Sequence, residues 1–275
     1  MAASEAGAIE RLTRADVASG MALSTEAGWN QTQDDWRHFI VHGRAVGMRA
    51  PDGRLVASAA ALPYDGPFGF VGMVLVTADW RRRGIATRLV DRCVAELREL
   101  GLMPVLDATA AGSEVYRRQG FIAQFGFDRW EGTLEPPAPG QERAGSLSGD
   151  LVELDAEAFG ARRGKLLEDF LSRPGTSARG DSSRFALLRA GRRALQAGPV
   201  VAKDENAAIA LLDDLFAATR GPVFIDVLAG WRAMGAWLAA RGFVIQRSFT
   251  RMALGREAPF GRPDRLFAVA GPEFG

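Results

Sequence analysis

A ten-residue segment occurs twice in this 275-residue chain. Residues 120–129 read GFIAQFGFDR and residues 242–251 read GFVIQRSFTR, so Gly, Phe, Gln, Phe and Arg recur at identical spacing. Upstream, the triplet VLD at 105–107 resembles FID at 224–226, and each has the pattern of a strand that precedes a helix. Two matches in the same order predict a duplicated fold with two related domains.

The length fits this duplication, because 275 residues are enough for two domains with separate cores. The clearest break is the segment EPPAPG at 135–140, which is followed by polar residues up to Asp150. Proline density disfavours regular pairing and favours an extended linker. We therefore predict a first domain at 1–135, a Pro-rich linker at 136–149 and a second domain at 150–275.

The composition excludes several classes of protein. The formal charge is +1, which gives no electrostatic footprint for nucleic acid, and no apolar run approaches the roughly 20 residues of a membrane helix. The first seven residues lack the pattern of a secretory signal, and the single cysteine, Cys93, excludes an internal disulfide. We expect a cytoplasmic protein, monomeric or homodimeric, with neither nucleic acid nor membrane as a partner.

Helices and strands alternate in the predicted first domain. Thr32 and Asp35 have the spacing of a capping box at the start of a helix. Further on, an apolar stripe predicts a helix from about residue 85 that stops at Gly101, and a short helix ends at Gly120. Strands are predicted at 44–49, 54–62, 69–76, 104–108 and from 121 onwards.

A basic, glycine-containing loop joins the strand at 69–76 to the next helix. It reads RRRGIAT at 81–87. A helix N-terminus offers unpaired N–H groups and partial positive charge, small residues at Gly84 and Ala86 admit an anion, and arginines bind phosphate oxygens. The loop has neither the Lys-Ser/Thr end of a P-loop nor a G-x-G-x-x-G pattern. It predicts a pyrophosphate cradle, and the alternative is a solvated basic turn before a surface helix.

This segment resembles the GNAT superfamily of N-acetyltransferases, whose motif at this turn is Arg/Gln-x-x-Gly-x-Gly/Ala. Arg81, Gly84 and Ala86 match it. A second family signature has an asparagine, a tyrosine seven residues later and then Gly-Phe. Here Tyr116, Gly120 and Phe121 fit, while Thr109 replaces the asparagine. The resemblance implies that the cofactor-binding residues are Val74, Leu75, Val76, Arg81, Arg82, Arg83, Gly84, Ile85, Ala86, Thr87 and Thr109.

The resemblance implies an α/β protein with two GNAT-like domains, each a central mixed β-sheet flanked by helices. The implied reaction is direct transfer of the acetyl group of acetyl-CoA to a primary amine of a small molecule, without a metal. Tyr116 would be the general acid for the departing thiolate, and its alternative role is packing between helix and sheet. Trp29 and Asn30 would contact the acceptor, with core packing and helix entry as the alternative. Three other functions stay open, namely a non-catalytic acyl-CoA sensor, transfer to an alcohol and acetylation of a protein amine.

Other polar residues favour structural roles. Asp107 is a candidate general base, but a role as the cap of the following turn fits it better. The same capping role is expected for Asp226, its equivalent in the second domain. His38 and His42 could form half of a metal site, yet no third ligand is evident. In the second domain, Glu205 and Asn206 align with the first two loop arginines, and Leu238 takes the place of the tyrosine. The second domain is thus expected to be a degenerate GNAT-like copy without cofactor binding.

Overall fold

The computed structural model describes residues 7–135 and 148–275, so most of the predicted linker at 136–149 lies outside the described residues. Contacts divide the chain into an N-terminal unit, Met1–Val105, and a C-terminal unit, Leu106–Gly275. Among the described residues, no helix is long and apolar enough to cross a membrane. Each unit is a mixed sheet with flanking helices.

The N-terminal unit contains a sheet with the strand order β1-β2-β3-β4-β5. Its strands are antiparallel except for β4 and β5, which are parallel. Its elements are β1 (Glu10–Arg11), α1 (Val17–Glu26), α2 (Gln33–His42), β2 (Arg44–Arg49), β3 (Leu55–Pro63), β4 (Phe68–Val76), α3 (Ile85–Glu99) and the start of β5 (Met103–Thr109), a strand that continues into the C-terminal unit.

Local signals explain the helices of this unit. The predicted capping box is present at the start of α2, where the Thr32 N–H donates to the Asp35 carboxylate at 2.7 Å and the Asp35 N–H donates to the Thr32 hydroxyl at 3.3 Å. Helix α3 buries the predicted stripe of Ile85, Leu89, Cys93 and Leu97 and packs on β3 and β4. This packing places the start of α3 beside the end of the strand that leads into it.

The C-terminal unit contains a sheet with the order β11-β6-β10-β12-β9-β8-β7. Its elements are α4 (Ala110–Arg118), β6 (Phe121–Leu134), α5 (Leu151–Phe159), α6 (Gly164–Ser172), β7 (Ser177–Asp181), β8 (Arg184–Arg189), β9 (Leu195–Val201), α7 (Glu205–Ala217), β10 (Gly221–Leu228), α8 (Arg232–Ala239), β11 (Val244–Leu254) and β12 (Leu266–Ala268). Helices α7 and α8 and strands β8 to β10 share one apolar core.

The repeat found in the sequence forms the centre of this second sheet. The first copy of the ten-residue segment runs into β6 and the second copy into β11, and these strands pair antiparallel. Phe127 faces Phe249, its own equivalent, and their rings stack with centroids 5.1 Å apart. Gly126 then faces Thr250, and Asp128 faces Ser248. The two copies are therefore related by a local two-fold axis through the Phe127–Phe249 pair.

The strands of the two repeats are exchanged around this axis. Strand β6 ends the first repeat, yet its second edge pairs with β10 of the second repeat, from Phe127–Leu228 to Leu134–Gly221. Consequently β6 lies between β10 and β11, the two strands that precede and follow α8 in the second repeat. The second repeat is thus completed by a strand of the first.

Candidate active site

The end of β4 is bent by a β-bulge. Met73 has a left-handed backbone conformation with φ of 54°, and the register with β3 shifts between Ser58 and Ala60. The hydroxyl of Ser58 donates to the Met73 carbonyl at 2.8 Å, which holds the bulge in place. Within the N-terminal unit the parallel ladder of β4 with β5 runs only from Phe68–Met103 to Phe70–Val105. The predicted pantetheine residues Val74, Leu75 and Val76 follow the bulge.

The loop after β4 is shaped by its own backbone contacts. Arg81 donates from Nε to the Val76 carbonyl at 3.0 Å, and Arg83 donates to the Asp79 carbonyl at 2.8 Å. The guanidinium of Arg83 lies over the ring of Trp80, 4.8 Å from its centroid, and Trp80 itself is buried. The buried Trp80 therefore anchors the loop in the core, while Arg81, Arg82, Arg83 and Gly84 are exposed.

The first turn of α3 is open to an anion. Gly84 is its N-cap with φ of 73°, so it supplies no capping side chain, and the first turn contains no acidic residue. A Cβ atom at Gly84 would meet no atom within 4 Å. The first N–H groups of a helix have no intrahelical partner and point outward with partial positive charge. The predicted residues Arg81, Arg82, Arg83, Gly84, Ile85, Ala86 and Thr87 thus lie around one helix N-terminus with the chemistry of a phosphate site.

Tyr116 lies on α4, near its C-terminal end. Its ring is half-buried, and its centroid lies 6.0 Å from that of Phe121 in an edge-on contact. Gly112 makes room for this ring, because a Cβ there would lie 3.2 Å from it. Thr109 is the N-cap of the same helix, and its hydroxyl accepts from the Gly112 N–H at 3.2 Å. The second family signature therefore maps onto one short helix and the turn after it.

The expectation that Asp107 caps the following turn is wrong. Thr109 provides that cap, and the buried carboxylate of Asp107 instead accepts two hydrogen bonds from Arg251 on β11, at 2.8 and 2.7 Å. Burial raises the pKa of Asp107, while the charge and hydrogen bonds of Arg251 oppose that rise. The pairing occupies both carboxylate oxygens, which disfavours the alternative role of general base.

The equivalent pair occurs in the second repeat. Asp226 is fully buried and accepts two hydrogen bonds from Arg129 on β6, both at 2.8 Å, and one from Gln196 at 2.9 Å. Arg129 and Arg251 occupy the same place in the repeated segment, as do Asp107 and Asp226 in the repeated triplet. Asp226 therefore does not cap the following turn either, and each aspartate is bound by the arginine of the other repeat.

The second repeat differs from the first where the first has its basic loop. Asp204 caps α7 by accepting from the Ala207 N–H at 2.8 Å, and Glu205 accepts from the Met234 N–H at 2.8 Å. Leu238, in the place of the tyrosine, is fully buried. These two carboxylates at the start of α7 accept from N–H groups of α7 and α8, respectively, and would repel a phosphate.

In the second repeat, the parallel strands β9 and β10 separate, and a third strand, β12, lies between them. Strands β9 and β10 are parallel neighbours from Leu195–Val223 to Ala197–Ile225, and beyond that β12 pairs with both of them. Gly198 allows this approach, because its φ is 138° and a Cβ there would lie 2.1 Å from the Val269 carbonyl oxygen. The chain after β12 stays buried, with Phe274 packed edge-on against Phe170 at 5.2 Å.

The predicted acceptor contacts lie in the loop between α1 and α2. Asn30 is buried and Trp29 half-buried, with the Trp29 N–H donating to the Ser24 carbonyl at 2.9 Å. Glu26, at the end of α1, accepts from the Ala78 N–H at 2.8 Å and so ties this region to the loop after β4. The Oε1 atom of Gln31 and the Oγ1 atom of Thr77 are also buried, each without a hydrogen-bond partner. No pattern in the sequence singles out these two residues.

The histidine pair gains no third ligand. The rings of His38 and His42 lie 4.8 Å apart, and the described residues contain no group of three or more His, Cys, Asp or Glu side chains that could hold a metal ion. Cys93 is buried in the core face of α3, where burial raises the pKa of its thiol. A high thiol pKa disfavours the thiolate, so Cys93 has the properties of a packing residue.

Comparison with known proteins gives the same family for both repeats. Residues 13–127 match the model of the acetyltransferase (GNAT) family, and residues 151–268 match a second model described as an acetyltransferase (GNAT) domain. The chain therefore belongs to the GNAT acetyltransferases and contains two GNAT domains. The predicted boundaries at 135 and 150 remain a prediction, because the contact division and the family matches fall at other positions.

Several proteins are similar to this chain over most of their length. The uncharacterized N-acetyltransferase YitH of Bacillus subtilis (strain 168) is 24% identical over 245 residues, covering 85% of this chain and 86% of that protein. A putative acetyltransferase from Pyrococcus horikoshii has a TM-score of 0.80 at 20% identity, covering 98% and 95% of the two chains. A tandem GNAT protein from the clavulanic acid biosynthesis pathway has a TM-score of 0.59 at 16% identity, covering 90% and 98%. These similar structures support the fold.

Proposed function

We propose that the first repeat is an N-acetyltransferase domain that transfers the acetyl group of acetyl-CoA to a primary amine of a small molecule. The observation that carries this proposal is the uncapped N-terminus of α3, with Gly84 open to solvent and three exposed arginines before it. An anion with two linked phosphates matches this combination of N–H groups and positive charge.

In this proposal, most of the named residues bind and orient the acetyl donor and the amine. The loop residues at 81–87 bind the pyrophosphate of the donor. The backbone of Val74, Leu75 and Val76 aligns its pantetheine arm, because the parallel ladder of β4 with β5 ends at Phe70, ahead of these residues, while β3 still pairs with Leu75 and Val76. Trp29 and Asn30 contact the amine substrate. The Oε1 atom of Gln31, which has no hydrogen-bond partner, accepts a further hydrogen bond from the N–H of that amine. Holding two reactants together supplies a large part of the rate enhancement.

Tyr116 is proposed as the proton donor. When the amine nitrogen attacks the thioester carbon, the carbon–sulfur bond breaks and the leaving sulfur needs a proton. The Tyr116 hydroxyl supplies that proton, and the phenolate regains one from water, while the amine loses its proton to solvent. General acid catalysis of this kind contributes about 10²–10⁴-fold to a rate.

The test is a pair of matched tyrosine variants. We expect Tyr116→Phe to lower kcat by about 100-fold in an assay of thiol release with a panel of amines, without weakening CoA binding measured by calorimetry. Tyr64→Phe is the control, because Tyr64 is also a packed tyrosine, with its ring 6.3 Å from that of Phe68. Equal turnover of Tyr116→Phe and wild type would refute the assignment of the acid. Tight CoA binding without turnover of any amine, including peptide amines, would instead indicate a sensor.

A further inference from the structure

We propose that Arg251, which the second repeat supplies, is a positioning residue for Tyr116 of the first repeat. The inference rests on the proposed role of Tyr116 as proton donor. It assigns a task to the degenerate second domain, which would complete the active half of the protein with one exchanged strand.

Strand β11 contacts the chain on both sides of α4. Before the helix, Arg251 donates two hydrogen bonds to Asp107, two residues ahead of the N-cap Thr109. After the helix, Leu254 is paired with Phe121, and the Gly255 N–H donates to the Gly120 carbonyl at 3.0 Å. One strand of the second repeat thus fixes both the entry to α4 and the exit from it.

The contact at the entry has little freedom. The side chain of Arg251 is 6% exposed and that of Asp107 is 0% exposed. The guanidinium also lies 5.1 Å from the centroid of the Phe125 ring and 5.7 Å from that of Phe159. A bidentate arginine–carboxylate pair fixes the orientation of both groups, and the aromatic rings restrict any shift of the guanidinium. The position of Asp107 therefore depends on Arg251.

The Tyr116 ring responds to both contacts because α4 is short. The helix has nine residues, and the tyrosine ring rests on Phe121 at one side and over Gly112 at the other. If Asp107 loses its partner, the N-cap at Thr109 and the helix that follows can shift together. A displacement of about 1 Å in a catalytic group costs about 100-fold in rate. Loss of Arg251 should therefore lower turnover without removing any group that touches a substrate.

The mirror pair separates this role from simple stability. Arg129 and Asp226 form the same bidentate contact, with side chains 11% and 0% exposed, in the repeat that has Leu238 instead of a tyrosine. Both pairs anchor an exchanged strand ahead of a helix, α4 in one case and α8 in the other. Only the pair at Asp107 precedes a helix with a proposed catalytic residue. Arg129 is therefore the matched control for Arg251.

The experiment compares Arg251→Met with Arg129→Met in the full-length protein. We expect both variants to unfold at lower temperature than the wild type, because each leaves a buried carboxylate without its arginine partner. At a temperature where both are folded, Arg251→Met should lower kcat by about 10- to 100-fold with CoA affinity unchanged. Arg129→Met should keep kcat within about two-fold of the wild type. If either methionine variant fails to fold, Arg251→Lys and Arg129→Lys give the same comparison, because lysine keeps the charge and loses the two-pronged contact.

Two results would overturn the inference. Either an Arg251 variant that keeps the kcat of the wild type while folded, or an equal loss of kcat in the Arg129 variant, would show that the pair stabilises the fold and does not position the tyrosine. Failure of the proposed function has a different signature, namely full turnover of Tyr116→Phe or no turnover by the wild type. A drop in kcat for Arg251→Met that disappears in a Tyr116→Phe background would support the link between the two residues.

Discussion

The two GNAT domains begin their central parallel strand pair in the same way and continue it differently. In the first domain, β4 and β5 pair over three residues each, Phe68 to Phe70 with Met103 to Val105. In the second domain, β9 and β10 also pair over three residues each, and β12 then pairs with both strands. In the second domain, β12 therefore lies between β9 and β10 where these two strands no longer pair with each other.

The helices that follow β4 and β9 differ in the same sense. Helix α3 begins at a glycine without a capping side chain, after three exposed arginines. Helix α7 begins at Asp204, whose carboxylate caps it, and Glu205 follows. An open N-terminus with cations attracts an anion, while a carboxylate cap already satisfies it. The difference teaches that two copies of one scaffold can share their strands and their buried ion pairs while the helix N-termini carry opposite charge.

The largest expected effect concerns the filled part of the second domain. Phe274→Ala should lower the free energy of unfolding by about 3–5 kcal/mol, because Phe274 is fully buried and its removal leaves a cavity beside Phe170. CoA affinity should stay unchanged, since the proposed donor site belongs to the first domain. Chemical denaturation and calorimetry measure the two quantities.

Leu171→Ala serves as the control, because Leu171 is 40% exposed and its loss should cost within about 0.5 kcal/mol. The comparison of the two domains predicts that the wild type, Phe274→Ala and Leu171→Ala each bind one CoA per chain. Two CoA molecules bound per wild-type chain, or weaker CoA binding by Phe274→Ala at a temperature where it is folded, would contradict it.

The next effect concerns the open helix N-terminus. Gly84→Asp should weaken CoA binding by about 100-fold, equivalent to about 2.7 kcal/mol, because it places a carboxylate where phosphate oxygens are proposed to bind. Gly101→Asp is a matched control at the other end of α3. Gly84 and Gly101 have φ of 73° and 72°, and neither would place a Cβ within 4 Å of another atom. Both substitutions therefore introduce similar backbone strain, and only the first should change the affinity measured by calorimetry.

Equal CoA affinity of Gly84→Asp and Gly101→Asp would remove the assignment of the loop. It would also remove the main difference between the two domains, since α3 would then be no more receptive to an anion than α7.

The sequence predicts much of this comparison because its signals are local. A capping box at Thr32, an apolar stripe on α3 and a basic glycine loop are each contained within about 15 residues, so neighbouring residues are enough to predict them. The repeat is visible for the same reason, because each copy keeps its own turn and strand pattern. The family resemblance depends on these local motifs, and both family models match the chain.

The strand exchange could not be predicted in this way. Asp107 has two equivalent arginines available in the sequence, Arg129 in its own repeat and Arg251 in the other, and local pattern does not distinguish them. The structure pairs it with Arg251, 144 residues away, because β11 and not β6 is next to β5 in the strand order. The insertion of β12 was equally hidden, since three residues without an echo in the first repeat give no periodic signal.

The smallest expected effect concerns the caps of two helices that the comparison sets side by side. Thr109→Ala and Asp204→Ala each remove an N-cap hydrogen bond, and each should lower the free energy of unfolding by about 1 kcal/mol. The two variants are expected to differ in their effect on CoA binding.

The Thr109 hydroxyl accepts from the Gly112 N–H and keeps its own proton for a further hydrogen bond, as the prediction of a cofactor contact requires. Thr109→Ala should therefore also weaken CoA binding, by about five-fold for one lost hydrogen bond, while Asp204→Ala should not. Thr109→Ser restores both properties if the hydroxyl is responsible. Unchanged CoA affinity in Thr109→Ala would leave Thr109 with the cap alone, and its role would then match that of Asp204 in the second domain.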